Sequence, residues 1–136
     1  MATTVNGARP KALHIALWAA QGILALGFFM AGFMKVTQPI DKLATMMPFV
    51  ADVSPAFVRF IGVSEVLGAI GLIIPAAFRV RPRLTGYAAL GLLIVMVLAL
   101  LFHLTRGEGA VIGPNIFLGA IAAFIAWGRF KKAPIY

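Results

Sequence analysis

The sequence predicts an all-α fold, a left-handed four-helix bundle lying in a membrane. Three observations predict it. Hydrophobic residues make up 62% of the 136 and charged residues 12%, and the mean hydropathy of +0.99 is far above that of a soluble domain. The apolar residues gather into four blocks, each about the length needed to cross ~30 Å of hydrocarbon. The basic residues collect beside those blocks on alternate turns of the chain, as they do where a chain threads back and forth. Together these leave room for one membrane domain, residues 1–136, and no separate soluble one.

The first block, Ala12 to Met34, has 23 residues and exceeds the usual ~7–15 of a signal-peptide core, so it is read as a retained span. The second is Phe60 to Phe78, the third Leu84 to Phe102 and the fourth, the shortest, Ala110 to Trp127. With their polar ends included, the expected helices cover residues 12–34, 57–78, 84–104 and 110–130. In the first, His14, Gln21 and Lys35 share a face with Leu17, Leu24, Phe28 and Ala31, and a face that carries all three polar residues is expected to look inward. The one long connection runs from Lys35 to Arg59. Pro39 and Asp41 make a helix start, Ile40, Leu43, Met46 and Met47 fall on one side, and Pro48 ends the run. That is the pattern of a short amphipathic helix at the interface, or of a loop packed on the helix ends.

Charge sets the orientation. Arg9 and Lys11, then Arg79, Arg81 and Arg83, then Arg129, Lys131 and Lys132 account for eight of the 12 Lys and Arg, and all lie on one side. Lys35, Lys42, Arg59 and Arg106 lie on the other, with Asp41, Asp52 and Glu108. The positive-inside rule then makes both termini cytoplasmic and the protein a multi-pass component of the cytoplasmic (inner) membrane. A net charge of +8 spread along helix ends forms no nucleic-acid face. With no Cys there is no disulfide, thiolate metal site or thiol relay carried by the chain.

Glu65 is the one acidic residue inside an apolar block. A charge near the middle of such a helix costs roughly 2.5–3.5 kcal/mol, so it is expected to face a polar interior. At about 1.5 Å per residue, Glu65 and Asn115 each lie roughly 21 Å above the basic boundary, and His103 and Arg59 roughly 30 Å. Three helices thus deliver polar groups to the outer half. Lys35 computes to roughly 36 Å above Lys11, and reaches Glu65 only if the first helix tilts or starts later. Burial favours a neutral Glu65 unless Lys35 or Arg59 meets it. Each residue also has a plainer role: Glu65 a structural carboxyl, His103 an interfacial histidine, Lys35 and Arg59 snorkelling anchors, Asn115 a helix-opening group after Gly113-Pro114, and His14 and Gln21 packing polars.

No HExxH, metal-spaced carboxylate pair, GxSxG or phosphate loop is present, so no metal site and no catalytic residue is assigned. The run Ala31-Gly32-Phe33-Met34-Lys35, the run Glu65-Val66-Leu67-Gly68, His103 ending the third span and Asn115 opening the fourth resemble the DoxX-like membrane proteins over about Leu17 to Trp127. The resemblance implies a compact four-helix bundle in the bacterial cytoplasmic membrane, with relatives linked to thiosulfate:quinone oxidoreduction and others, including a chaperone for nicotinic receptors, that assist assembly of partner proteins. It carries over to Lys35, Glu65, His103 and Asn115, the residues the depth estimates also select as ligand-binding. Two functions are expected from this: binding of a quinone or lipid by its polar head in an intramembrane pocket, as an accessory to a membrane oxidoreductase or lipid process, or docking of partner transmembrane helices. A quinone is the cofactor such a pocket would suit, and a homo-oligomer is compatible with either function.

The topology is directly testable. Reporter fusions at Tyr136 and in the Arg79–Arg83 loop are expected to read cytoplasmic and one near Asp52 external; an external C-terminus would overturn the orientation.

Overall fold

The computed structural model describes residues 11–135; Arg9 and Tyr136 lie outside them. It has five α-helices: α1 (Lys11–Thr37), α2 (Ile40–Met46), α3 (Pro55–Phe78), α4 (Arg83–Thr105) and α5 (Ile112–Trp127). Short 3₁₀ turns at Pro48–Asp52 and Gly109–Val111 lead into α3 and α5, and a π-helical turn, Gly128–Lys132, extends α5. Four of these elements, α1, α3, α4 and α5 with its π turn, are long and apolar enough to span a membrane. They pack in the cyclic order α1, α3, α4, α5, with α1 most extensively against α3 and least against α5.

The buried side of α1 is Leu17, Gln21, Leu24, Ala25, Phe28, Gly32 and Lys35, the inward stripe read from the 3,4 spacing. Val58, Gly62, Glu65, Ala69, Leu72 and Ala76 form the matching side of α3. The central core adds Ala89, Leu92 and Met96 of α4 and Ala122, Ile125 and Ala126 of α5. Large apolar side chains such as Leu26, Phe60 and Phe78 are exposed all round, which is the expected surface where the solvent is lipid tails.

Small residues set the closest approach. A Cβ built on Gly32 would stand 2.6 Å from the Gly62 carbonyl oxygen, and one on Gly62 2.8 Å from the Gly32 carbonyl oxygen, so α1 and α3 touch backbone to backbone at this level. Ser54 opens α3 by accepting the Phe57 N–H at 3.2 Å, and Pro55 follows in the first turn where its missing N–H costs nothing. Pro75 sits near the other end of α3, where it removes one helical hydrogen bond; the amide of Gln21 donates to the neighbouring Leu72 carbonyl at 2.7 Å.

The long connection is a cap. Leu43 of α2 is fully buried together with Val50 and Val58, with Met34, Ile40, Met47 and Phe49 packed around them. The amphipathic face therefore rests on the ends of α1 and α3, so helix and packed loop are both present in one segment. Pro39 stands at the N-cap rather than the first helical position, and after Pro48 the chain continues as a 3₁₀ turn that its sequence did not announce.

Gly62→Ala is expected to lower stability by about 1–3 kcal/mol through the forced separation of α1 and α3. Gly22→Ala, where nothing lies within 4 Å of the added carbon, is the control and is expected to be neutral or mildly stabilising. Thermal unfolding of the purified protein in detergent compares them.

Candidate functional site

Each partner of the buried ion pair lies three residues beyond a glycine of the α1–α3 contact. Lys35 follows Gly32 and Glu65 follows Gly62, and the two helices run antiparallel, so the Cα atoms sit roughly 4.5 Å to either side of the contact level. Side chains lean toward the N-terminus of their own helix. Here that tilts Lys35 and Glu65 toward each other, and Lys35 Nζ donates to Glu65 Oε1 at 2.8 Å. This is how Lys35 meets Glu65 despite the depth difference computed from sequence, and it makes Lys35 a partner rather than a snorkelling anchor. The two residues are 7% and 4% exposed, so the pair lies inside the bundle. A pair this dry costs desolvation on both charges, and its attraction offsets that only because the geometry is close.

Arg59 completes the arrangement from α3. Its Nη1 donates to the carbonyls of Lys35 and Gln38, both at 2.7 Å, satisfying two of the four orphan acceptors at the end of α1. The sequence offered anchor or ligand for this residue, and the structure gives it a helix end.

His103 and Asn115 are engaged elsewhere. His103 Nδ1 contacts Glu108 Oε1 at 2.8 Å, with the Phe49 and Phe102 rings edge-on to its imidazole. Arg106 joins the same cluster, donating from Nε to Glu108 at 2.9 Å and pairing with Asp52 at 2.7 Å. The cluster ties the 3₁₀ turn after α2 to the α4–α5 connection. The Arg106 hydrogen bond first, and that of His103 second, hold the Glu108 carboxyl below its ordinary range; the Glu108 and Asp52 hydrogen bonds raise Arg106. A lowered carboxyl stabilises the fold above the unfolded carboxylate range, and that support fades as pH falls through the lowered value. Asn115 donates to the Met96 carbonyl at 2.5 Å, clasping α5 to α4. The four candidate residues thus fall into three separate contacts, of which only Lys35 and Glu65 meet.

A second buried polar group lies at the opposite, basic end. Arg129, in the π turn and 4% exposed, donates from Nε to Gln21 Oε1 at 2.6 Å and from Nη1 to the Ala133 carbonyl at 2.9 Å. Nη1 also lies 2.9 Å from His14 Nδ1, and the guanidinium stands 5.7 Å from the centre of the Trp18 ring. The spacing of His14 and Gln21 placed them inward, but nothing in the sequence separated Arg129 from the topology-setting lysines beside it. Its inward turn comes with the π geometry, marked by the Ala133 N–H bonding to the Gly128 carbonyl at 2.7 Å.

Between α1 and α5 the surface holds an open groove of about 470 Å³, lined on one side by Ala16, Ala19, Ala20 and Ile23 and on the other by Phe117, Ala120, Ile121 and Phe124. Its lining is apolar and includes none of the four candidate residues. No group of three or more His, Asp or Glu suited to a metal occurs among the described residues.

The DoxX-like family model matches residues 19–125, which takes in α3 and α4 whole, the larger part of α1 and α5, and every residue of the Lys35–Glu65, His103 and Asn115 contacts. The chain belongs to the DoxX-like family. It is a multi-pass membrane protein of that family, with four apolar helices long enough to cross. No curated protein and no solved structure matches it. The family description names a kind of protein and no reaction, so the chemistry of this DoxX-like chain rests on its own residues.

Removing one member of the buried pair, by Glu65→Gln or Lys35→Met, is expected to cost about 3–5 kcal/mol, because the other is left uncompensated. Lys35→Met combined with Glu65→Leu is expected to recover most of that loss. Unfolding of the three variants and the parent in detergent tests it, and a double variant as unstable as the singles would show that the pair does more than join α1 to α3.

Proposed function

We propose that this DoxX-like protein is an interaction protein of the cytoplasmic membrane, which seats a transmembrane helix of a partner protein in the groove between α1 and α5. The observation that carries the reading is the contrast between a polar interior whose groups bond to one another and an apolar groove left open on the outside. Along α1 the groove has an alanine floor, and Gly27, four residues beyond Ile23, has nothing within 4 Å of its missing side chain. Small residues at this spacing let a second helix backbone approach closely, and in lipid that close packing is the main source of helix affinity. The bulky rim of Ile23, Phe117 and Phe124 would grip the sides of such a helix. A headed ligand such as a quinone finds no polar group along this lining.

The second reading, a quinone or lipid held by its head, is favoured by one observation, the Lys35–Glu65 pair itself. Charged residues inside spans mark ligand or ion sites more often than not. Under this reading Glu65→Gln lowers the lipid or quinone retained on purification while changing thermal stability little. The helix-docking reading expects the reverse order.

Ala16 and Ala120 are exposed, so leucine at either position fills the groove without entering the core. A photo-crosslinker placed at Ala19 in native membranes is expected to give discrete protein adducts, and these are expected to disappear from the Ala16→Leu/Ala120→Leu variant. Adducts to lipid alone, unchanged by the leucines, would defeat the docking reading. An adduct of twice the chain mass would assign the groove to a second copy.

A further inference from the structure

The basic end carries two clusters that are remote in sequence and adjacent in space. The turn between α3 and α4 reads Arg79-Val80-Arg81-Pro82-Arg83, and all three arginines are exposed. The π turn after α5 carries Lys131 and Lys132, also exposed. Phe130 joins them: the Arg83 guanidinium lies 5.6 Å from the centre of its ring, Tyr87 meets the ring edge-on at 5.0 Å, and the backbone of Gly86 leaves room for it. The four acidic residues of the sequence, Asp41, Asp52, Glu65 and Glu108, all belong to the other end or to the buried pair. No Asp or Glu therefore stands among these five cations.

The backbone of the turn adds a second, independent observation. Arg79 and Arg81 both adopt left-handed conformations, with φ of 55° and 48°. Arg79 closes α3 in the position where glycine is the usual residue, with the Val80 N–H bonded back to the Pro75 carbonyl at 3.1 Å. Glycine at either position would relieve a steric cost that a Cβ imposes. The sequence instead places an arginine at both, with Phe78 and Val80 beside them 69% and 64% exposed. Cations alternating with exposed apolar side chains at the end of a span match the boundary between headgroups and acyl chains.

We infer that Arg79, Arg81 and Arg83, joined by Lys131 and Lys132 across the Phe130 contact, form a binding site for the headgroup phosphate of anionic phospholipids, with Phe78 and Val80 in the acyl layer. The guanidinium groups supply paired donors to phosphate oxygens, and the lysines supply charge. The strained turn carries three exposed arginines within five residues, a charge density that a glycine turn would lack. This site is separate from the α1–α5 groove and from the Lys35–Glu65 pair.

The test uses the full chain purified in a neutral detergent, with phosphatidylglycerol or phosphatidylcholine added and retained lipid counted by native mass spectrometry. The parent chain is expected to retain phosphatidylglycerol in preference to phosphatidylcholine. Arg79→Gly/Arg81→Gly is expected to lower that retention roughly thirtyfold, from about a fivefold loss per cation. The same variant is expected to melt at a higher temperature than the parent when no lipid is added, because the strain is gone. Arg79→Lys/Arg81→Lys keeps the charge and is expected to keep most of the retention. Equal retention of the two lipids by the parent, or an unchanged preference in the glycine variant, would overturn the site. Loss of phosphatidylglycerol to inorganic phosphate at matched ionic strength would overturn its assignment to lipid and give it to the free anion.

Discussion

The arrangement of the whole bundle depends on the place where α1 and α3 touch. Gly32 and Gly62 let the two backbones meet, and the antiparallel run of the helices then aims Lys35 and Glu65 at each other across that contact. In hydrocarbon the attraction of two opposite charges is strong and the cost of separating them is large, so the pair admits one register of α1 on α3. A shift of one turn would bury both charges without partners. Arg59 reads the same register from the side, because its guanidinium reaches the end of α1 only when Gln38 and Lys35 stand where they do.

From that contact the polar groups of the interior divide between the two ends of the bundle. At the capped end, α2 and its 3₁₀ turn lie over α1 and α3, and the Asp52–Arg106–Glu108–His103 cluster carries the link across to α4. At the basic end, Arg129 draws Gln21, His14 and the Ala133 carbonyl into one group that binds α1 to the end of α5. Between them the core is apolar, with Leu24, Phe28, Leu72, Leu92 and Ile125 filling the middle. The polar groups hold the helices together, and the apolar groove opens on the α1–α5 side, where neighbouring spans pack least extensively.

Much of this was legible in the residues. The four spans, the inward stripe of α1, the amphipathic α2 and the importance of Lys35 and Glu65 all follow from periodicity and from the cost of charge in lipid. The depth estimate set Lys35 roughly 15 Å above Glu65 because it took Lys11 and Arg79 as one level; the Gly32–Gly62 contact puts the two Cα levels roughly 9 Å apart, a distance that the two side chains cover. It put Glu65 and Asn115 at one level, yet level does not fix direction around a helix, and Asn115 faces the Met96 carbonyl of α4. Arg129 was hidden by its neighbours, since one inward arginine among outward lysines has the same composition as a plain topology signal.

The sequence by itself determined that the chain is a four-helix membrane protein, because hydrophobic length, stripe spacing and charge asymmetry are properties of each helix alone. It also determined that Glu65 needs a partner, since an unpaired charge in hydrocarbon is too costly to keep. Tertiary structure alone decided which partner it has, how His103 and Asn115 are occupied, and that Phe130 brings two basic clusters together. Those choices depend on the rotation and register of one helix against another. Such angles arise from the packing of all four helices together, and no single segment of sequence contains them.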